Sequence, residues 1–259
     1  MTQLSLVIPF YNEEDNIEPF FRELLPVIRS MDVPFEVIAV NDGSTDQTAA
    51  RLCEAMEGQP EIRCLTFARN AGQTAAFEAG FRAARGELIV TLDGDLQIDP
   101  RDIPLMVDQL RKDDVDFVYG WRKERKDTWL KRLSTRVANA VRNRLTGESI
   151  PDTGCPLKVF RTVILKRMKL FNGMHRFFIT LAHMDGWKSS QMIVRHRHRQ
   201  HGKSKYGMWN RLFRSLRDCL AVRWMMKRHL KYQVTEMVGR GSPKNSGDLT
   251  GARGHWEQS

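Results

Sequence analysis

Cysteine and long apolar runs are both scarce in this sequence, and each scarcity excludes a class of protein. Four cysteines are scattered over 259 residues (Cys53, Cys64, Cys155 and Cys219), and their spacing predicts no metal-binding or redox pair. We therefore expect reduced, mostly buried thiols in a cytosolic protein. No apolar run reaches the roughly 18 residues that indicate a transmembrane helix, so none is predicted.

The N-terminus also lacks the features of a secretory signal. Its apolar run, Leu4–Phe10, is short, no basic segment precedes it, and an acidic stretch follows it. The chain contains no internal repeat. With 41% hydrophobic residues it can bury a large core, which predicts one α/β domain, alone or with an appendage.

Charge is divided unequally between the two halves of the chain. Residues 1–120 contain 10 Lys and Arg against 22 Asp and Glu, a net charge of −12. Residues 121–259 contain 31 against 9, a net charge of +22, within a total of +10. This division indicates that the second half meets an anionic partner, and nucleic acid, membrane phosphates and a phosphorylated substrate all stay open.

The first half alternates apolar runs with helical periodicity. Strands are predicted at Leu4–Phe10, Phe35–Val40, Ile62–Phe67, Leu88–Leu92 and Val115–Tyr119. Helices are predicted at Glu13–Ser30, after a cap at Ser44 or Asp46, at Gln73–Arg85 and from about Ile103. This order predicts an α/β fold with a doubly wound, mostly parallel sheet. Right-handed crossovers then bring Tyr11, Asp42 and Asp93 to one edge of that sheet.

The second half is basic and less regular. A basic amphipathic helix is predicted at Thr128–Leu145, with its charged residues mostly facing outward (Lys131, Arg132, Arg136, Arg142 and Arg144). A loop and short strand are predicted at Ile150–Phe160, and a strand at Gln191–Arg199 puts Arg195, Arg197 and Arg199 on one face. A helix is predicted at Met208–Leu230, and from about Thr235 the composition is typical of disorder.

The segment after the fourth predicted strand carries two carboxylates and an amide at alternate positions. It reads Asp93-Gly94-Asp95-Leu96-Gln97. Parallel sheets bind ligands beyond the carboxyl ends of their strands, and oxygen ligands suit Mg²⁺ or Mn²⁺. The pattern therefore indicates the metal site of a diphosphate, with an ordinary Gly and Asp turn as the alternative.

Several short motifs occur in order along the chain. They are Val7 to Glu14, Asn41 to Asp46, Asn70 to Gln73, Asp93 to Gln97, Asp152 to Cys155, and Gly202 to Tyr206. Together they resemble the family 2 glycosyltransferases of GT-A fold. Within that family they are most similar to the polyprenyl-phosphate branch, which includes dolichol-phosphate mannose synthases and undecaprenyl-phosphate glycosyltransferases. The match covers most of the chain, and it is the order of the motifs that makes it specific.

The resemblance implies a site for a sugar nucleotide and a divalent metal, Mg²⁺ or Mn²⁺. The residues implied to bind the nucleotide are Pro9, Tyr11, Glu13, Asp42 and Asp93. Those implied to bind the metal, through the diphosphate, are Asp93, Asp95 and Gln97. Taken singly, Tyr11 and Glu13 could instead begin a helix, and Asp42 could instead form a turn. The nucleotide-binding roles are therefore inferred from these residues occurring together.

The basic half supplies residues for the anionic groups of the reaction. The developing charge of the diphosphate is assigned to Arg199, Ser204 and Lys205, with a basic surface loop as the alternative. The acceptor phosphate is assigned to Arg122 and Arg132. Asp152 is placed near the reaction centre, where it orients the sugar or the arginines, and capping a loop is its alternative.

These expectations divide the chain into three regions. Residues 1–206 are predicted to form the GT-A domain, in which 1–120 bind the nucleotide and metal and 121–206 bind the acceptor. Residues 207–234 are predicted to form a basic amphipathic helix, and residues 235–259 a disordered tail. Many relatives end in two transmembrane helices, but Arg217, Arg223 and Lys227 interrupt the candidate here. We expect this helix to lie on the inner face of the cytoplasmic membrane as a peripheral contact, or to pack on the domain or another subunit of a homo-oligomer.

Three functions are weighed. The first is a metal-dependent inverting glycosyltransferase that moves a sugar from a nucleotide donor, UDP before GDP, to a polyprenyl phosphate. The second uses a carbohydrate hydroxyl acceptor, which needs a general base; hydroxyl-using relatives tend to carry an acidic base and a Q-x-x-R-W motif that are missing here. The third is a nucleic-acid-binding protein, which the sequence supports least because aromatic platforms among the basic residues are few.

Overall fold

The computed structural model describes residues 2–123, 140, 142–198 and 208–230, and a seven-stranded sheet organises them. The strand order is β3-β2-β1-β4-β6-β5-β7. The strands are β1 (Leu4–Phe10), β2 (Phe35–Asn41), β3 (Ile62–Thr66), β4 (Leu88–Thr91), β5 (Phe117–Trp121), β6 (Lys158–Arg161) and β7 (Ser189–Ile193). All run parallel except β6, which is antiparallel to β4 and β5. The predicted α/β fold with a mostly parallel sheet is confirmed.

Helices cover both faces of this sheet. They are α1 (Ile17–Arg29), α2 (Thr48–Met56), α3 (Gln73–Ala83), α4 (Asp102–Lys112), α5 (Thr162–Arg167), α6 (Phe178–Met184) and α7 (Met208–Arg228), with a 3₁₀ turn at Met174–Phe177. Residues 142–146 are also helical. Because successive side chains of a strand point to opposite faces, Leu6 and Ile8 of β1 pack under α1 and α4, while Val7 packs under α3. The result is two apolar layers with the sheet between them.

The first helix begins later than its periodicity predicts. α1 starts at Ile17 rather than Glu13, because residues 12–14 form a loop bonded to the loop after β2. The Asn12 N–H donates to Ser44 Oγ at 3.0 Å, and the Glu13 N–H donates to Thr48 Oγ1 at 2.8 Å. Gln47, rather than Ser44 or Asp46, occupies the cap position of α2, although Asp46 accepts the Thr48 N–H at 3.0 Å.

Two predictions for the second half are wrong. Arg142 was predicted to face outward, but it is buried, while Arg144 two residues on is exposed. The strand predicted to run to Arg199 ends at Ile193, because the chain then turns toward α4, where the Arg195 N–H donates to Asp102 Oδ2 at 2.7 Å. Most of the helix predicted at Thr128–Leu145 and all of the tail from Thr235 lie outside the described residues.

The four cysteines are all free thiols. Cys155 and Cys219 are buried as expected, but Cys53 is exposed and Cys64 is half-buried, so the expectation of mostly buried thiols holds for two of them. In the ranges that the structure describes, no helix is long and apolar enough to span a membrane.

Candidate active site

The carboxyl edge of the parallel strands gathers the residues singled out by the sequence. Tyr11, Asp42, Asp93 and Arg122 each come directly after a parallel strand or within two residues of its end. β6 runs the other way, so its beginning lies at this same edge and brings the preceding segment, with Asp152, to it. One antiparallel strand thus joins the second half of the chain to the edge built by the first.

The loops after β1 and β2 form the first wall of the edge. The Asp42 N–H donates to the Phe10 carbonyl at 2.9 Å, which extends the pairing of the two strands past their ends. Pro9, Tyr11 and Glu13 are half-buried on this wall, and the Glu13 carboxylate accepts from Asn16 Nδ2 at 2.5 Å. The residues predicted to line a nucleoside pocket therefore share one wall.

Asp42 is buried, and its carboxylate is bonded to a neighbouring loop. Oδ1 accepts the Ala71 N–H at 2.7 Å, and Oδ2 accepts the Gly72 N–H at 3.0 Å and Asn70 Nδ2 at 2.9 Å. Burial raises the pKa of Asp42 in spite of these bonds. Gly43 lets the loop after β2 pack closely against the loop before α3, since a Cβ atom at this position would lie 2.3 Å from the Arg69 carbonyl carbon. In this structure Asp42 holds the loop before α3, and the nucleotide-binding role predicted for it stays a prediction.

The acidic loop after β4 is fixed by close packing and by its own backbone. Gly94 lies against the Phe10 ring, where a Cβ would come within 2.1 Å of a ring carbon. Leu96 has a φ of +59°, an unusual value that reverses the chain within the loop. Asp95 is buried and accepts the Gln97 N–H at 3.2 Å, and Asp93 accepts Gln73 Nε2 at 2.8 Å. These contacts hold both carboxylates at the edge of the sheet.

The chemistry of this loop fits a cation that is shared with a diphosphate. Among the described residues no three His, Cys, Asp or Glu side chains come together, so a metal cage built by those residues alone does not fit. Two neighbouring carboxylates do fit Mg²⁺ or Mn²⁺, since Mg²⁺ is commonly held by one or two carboxylates together with substrate phosphates. Asp93 and Asp95 are the residues that would hold such an ion, with the half-buried Gln97 beside them.

A buried ion pair lies opposite the acidic loop. Arg122 Nε donates to Asp152 Oδ2 at 2.7 Å and Nη2 donates to Oδ1 at 2.9 Å, and the Arg122 N–H also reaches Oδ2 at 3.2 Å. The side chains are 9% and 5% exposed. Burial disfavours the guanidinium charge, but the bonds to Asp152 outweigh it and raise the pKa of Arg122. Asp152 was predicted to orient the sugar or the arginines near the reaction centre. Its contact with Arg122 is the one that orienting an arginine would require, and the role stays a proposal.

A buried lysine lies between the acidic loop and the ion pair. Lys158 begins β6 beside Thr91 of β4 and Tyr119 of β5, and its Nζ donates to the Cys155 carbonyl. Burial lowers the pKa of the Lys158 ammonium, while the charges of Asp93 and Asp152 act in the opposite direction. Lys158 thus connects the two carboxylates electrostatically, and the edge forms one charged cluster.

Several predicted site residues lie outside the described ranges. These are Arg132, Arg199, Ser204 and Lys205. Conversely, two polar residues of the site, the half-buried Gln73 and the buried Lys158, were given no role by the sequence analysis. Gln73 stands at the first turn of a predicted helix and Lys158 at the start of a predicted strand, and neither position signals that the side chain turns toward a carboxylate. The signal that could have found Lys158 is a charged residue at the start of a buried strand, because a buried charge needs a partner.

A doubly wound sheet with a paired-carboxylate loop at its carboxyl edge is the architecture of a GT-A glycosyltransferase. The chain belongs to glycosyl transferase family 2, whose family model matches residues 5–169. A dodecaprenyl-phosphate galacturonate synthase of Rhizobium johnstonii is 42% identical over 87% of this chain and 68% of its own. An undecaprenyl-phosphate 4-deoxy-4-formamido-L-arabinose transferase of Edwardsiella ictaluri is 36% identical over 79% and 63%. The chain thus spans 63 to 68% of the length of these relatives, and the resemblance drawn from its motifs is confirmed.

Two solved structures share the fold. Glucosyl-3-phosphoglycerate synthase from Mycobacterium tuberculosis, in complex with Mn²⁺, UDP and glucosyl-3-phosphoglycerate, has a TM-score of 0.68 at 17% identity over 92% of this chain and 85% of its own. A mannosyltransferase from Pyrobaculum calidifontis, in complex with GDP-Man and Mn²⁺, has a TM-score of 0.55 at 18% identity over 86% and 69%. At these identities the likeness concerns the fold alone.

Proposed function

We propose that this protein transfers a sugar from a nucleoside diphosphate donor to a polyprenyl phosphate, with inversion at the anomeric carbon. One observation carries the proposal: the acidic loop of Asp93 and Asp95 and the buried pair of Arg122 and Asp152 meet at one sheet edge, with Lys158 between them. The relatives named for dodecaprenyl and undecaprenyl phosphate support the acceptor class. Family membership favours this enzyme over the nucleic-acid-binding alternative.

In the proposed reaction an acceptor phosphate oxygen bonds to the anomeric carbon while the bond from that carbon to the diphosphate breaks. The nucleoside diphosphate leaves with the electron pair of that bond. A divalent ion at Asp93 and Asp95 would supply positive charge to the departing diphosphate. We infer UDP as the first nucleotide and GDP as the second, and either Mg²⁺ or Mn²⁺ as the ion.

The pairing of Asp152 favours a phosphate over a hydroxyl acceptor. A hydroxyl must lose a proton to a general base as it attacks, whereas a phosphate is already an anion at neutral pH. Both carboxylate oxygens of Asp152 accept bonds from Arg122, so accepting a proton would break a buried charge pair. Asp152 is therefore better placed to hold Arg122 toward an anion than to act as a base.

A polyprenyl phosphate is carried in a lipid bilayer, so we expect the protein to act at a membrane surface. α7 exposes Leu216, Leu220 and Trp224 at intervals of four residues, which places them along one side of the helix, with Arg217 and Lys227 also exposed. Exposed apolar and basic residues on one helix suit the surface of an anionic membrane. We propose peripheral binding to the inner face of the cytoplasmic membrane through α7.

The reaction is tested with a donor panel, undecaprenyl phosphate, and Mg²⁺ or Mn²⁺, scored for glycolipid. Because the sugar named for the Rhizobium relative is galacturonate, the donors are matched pairs of a uronate and its hexose: UDP-galacturonate and UDP-galactose, UDP-glucuronate and UDP-glucose, GDP-mannuronate and GDP-mannose. We expect glycolipid from at least one donor. Absence of glycolipid from every donor, with transfer to a carbohydrate hydroxyl instead, would contradict the proposal.

The acidic loop is tested in the same assay with Asp95→Asn. Losing a carboxylate that faces the diphosphate should lower kcat/KM by at least about 100-fold. Asp108→Asn, which changes an exposed carboxylate on α4, serves as the matched control and should leave kcat/KM unchanged. Full activity of Asp95→Asn would show that the metal assignment is wrong.

A further inference from the structure

Arg142 is a buried arginine that the proposed reaction has not used. Its side chain is 6% exposed, and within the described part of the chain Nε and Nη1 have no hydrogen-bond partner. Only Nη2 is bonded, to Asn143 Oδ1 at 3.0 Å. Nε and Nη1 carry most of the N–H donors of a guanidinium, which stays protonated in proteins. Buried donors and a buried charge without partners are costly, so this arrangement needs an explanation.

The carboxylate of Glu148 does not satisfy this arginine with a hydrogen bond. Glu148 attracts the guanidinium electrostatically, but its oxygens are bonded elsewhere. Oε2 accepts from Thr180 Oγ1 at 2.5 Å, and Oε1 is bonded to His183 Nδ1 at 2.9 Å. Burial lowers the pKa of Arg142, in line with a charge that has been desolvated without a direct counter-ion. The structure therefore offers positive charge and free donors to an incoming anion.

The segment that carries Arg142 is bonded to the chain that leads to Asp152, because Asn143 Nδ2 donates to the Ile150 carbonyl at 3.2 Å. Besides Glu148 and Cys219, the Arg142 guanidinium interacts electrostatically with Asp152, which belongs to the charged cluster, and with Tyr119. Tyr119 lies beside Lys158 in the sheet, at the same edge. Arg142 thus belongs to a segment that adjoins the charged cluster of the proposed reaction centre.

We propose that Arg142 binds the carboxylate of the transferred sugar, and that the donor is a nucleoside diphosphate hexuronate. Guanidinium groups bind carboxylates with strong, directional hydrogen bonds. Enclosure favours the sugar over the acceptor phosphate, because the acceptor carries a long lipid that must leave the pocket, whereas the sugar can be surrounded. This inference rests on the proposed function and specifies its donor.

The first test compares kcat/KM for the matched uronate and hexose donors in the wild-type protein, Arg142→Gln, Arg142→Lys and Arg144→Gln. Arg144 is the matched control because it is an exposed arginine on the same helical segment. We expect the wild type to prefer a uronate, and Arg142→Gln to lower kcat/KM for that uronate by about 100-fold or more with little change for its hexose. Arg142→Lys should fall between, because it keeps the charge without the guanidinium geometry.

A second measurement is independent of the lipid reaction. Calorimetric binding should show a uronate donor binding more tightly than its hexose partner in the wild type, and Arg142→Gln should abolish the difference. If no donor gives glycolipid but the uronate still binds more tightly than its hexose partner, the proposed function is wrong and the role of Arg142 in binding a uronate stands. The inference itself is overturned if no uronate binds, if both members of a pair lose activity equally in Arg142→Gln, or if the variant raises KM for the polyprenyl phosphate with every donor.

Thermal unfolding separates binding from a structural role. Replacing a buried, unpaired charge with an apolar side chain of similar volume is often neutral or stabilising. Arg142→Met in the ligand-free protein should therefore leave Tm unchanged or raise it, and it should lose uronate selectivity. A fall in Tm by several degrees together with unchanged selectivity would show that Arg142 only supports the fold.

Discussion

At the scale of single residues, the candidate active-site edge contains a charge pair that is almost shielded from water. Arg122 and Asp152 are almost fully buried, so each depends on the other for stabilisation of its charge. Their two parallel hydrogen bonds also fix the guanidinium plane, which a single contact would leave free to rotate. The edge is therefore prepared for an anion before one binds, and its rigidity depends on one carboxylate.

Asp152→Asn tests this dependence. Removing one member of a buried pair leaves an uncompensated charge, so the free energy of unfolding should fall by about 3–5 kcal/mol. Urea denaturation at neutral pH measures the change. Glu54→Gln, which breaks an exposed pair with Arg51, is the control and should have no measurable effect. An equally small effect of both variants would show that the pair adds nothing to stability.

The sequence predicts this edge better than it predicts the partners within it. Tyr11, Asp42 and Asp93 could be placed together because parallel strands end at one edge. The bonds from Asp42 to residues 70–72, and the inward position of Arg142, could not be predicted. They depend on which loops meet in three dimensions, and a single arginine in a basic helix looks the same in sequence whether it faces water or the core.

At the scale of secondary structure elements, the chain after β7 is held against the acidic loop by ion pairs. Asp99 accepts Arg101 Nε at 2.9 Å and pairs with Arg197 Nη2 at 2.9 Å, and Arg197 also pairs with Glu23 at 2.6 Å. Ile98 and His196 form a β-bridge beside these contacts. This explains why the basic strand predicted to end at Arg199 leaves the sheet early: Arg195 and Arg197 are paired with acidic residues of the first half.

These pairs predict a dependence of stability on pH. Burial alone would raise the pKa of Asp99, but the bonds from Arg101 and Arg197 outweigh it and lower the pKa in the folded protein. In the unfolded chain the value is about 3.9. Between the two values only the unfolded state binds the proton, so the contribution of Asp99 is present above about pH 4 and is lost as pH falls toward the folded value.

Urea denaturation between about pH 2 and pH 5 checks this expectation. The free energy of unfolding should decline less steeply with falling pH in Asp99→Asn than in the wild type. Glu57→Gln, which changes an exposed carboxylate after α2, should keep the wild-type slope. Parallel curves for all three proteins would contradict the assignment of acid sensitivity to Asp99.

At the scale of the whole molecule, opposite charges are separated along the chain but meet in the fold. The net charge is −12 over residues 1–120 and +22 beyond them. Part of the positive charge is used internally, by Arg122 toward Asp152 and by Arg197 toward Asp99. Arg217, Lys227 and Arg228 on α7 are exposed instead, next to the apolar residues of the same helix. Among the described residues, this part of the surface is the one that we propose to contact an anionic membrane.

The double variant Leu220→Ser, Trp224→Ser tests the membrane contact. Apolar burial drives binding of a surface helix, so affinity for vesicles of anionic phospholipid should fall by about tenfold or more in a sedimentation assay. Leu105→Ser, which removes an exposed apolar residue on α4, is the control and should bind like the wild type. Raised salt should weaken wild-type binding because the basic residues are screened. Unchanged binding of the double variant would place the membrane contact elsewhere.

The bonds of Asp42 to the loop before α3 have a consequence for how a nucleotide is received. Ala71 and Gly72 are already held through their N–H groups, so this wall of the site is ordered during folding. A ligand that meets an ordered wall loses less conformational freedom on binding than one that must organise a loose one. For the nucleotide binding proposed above, we therefore expect selectivity among nucleotides to depend on the shape that these bonded loops already have before the ligand binds.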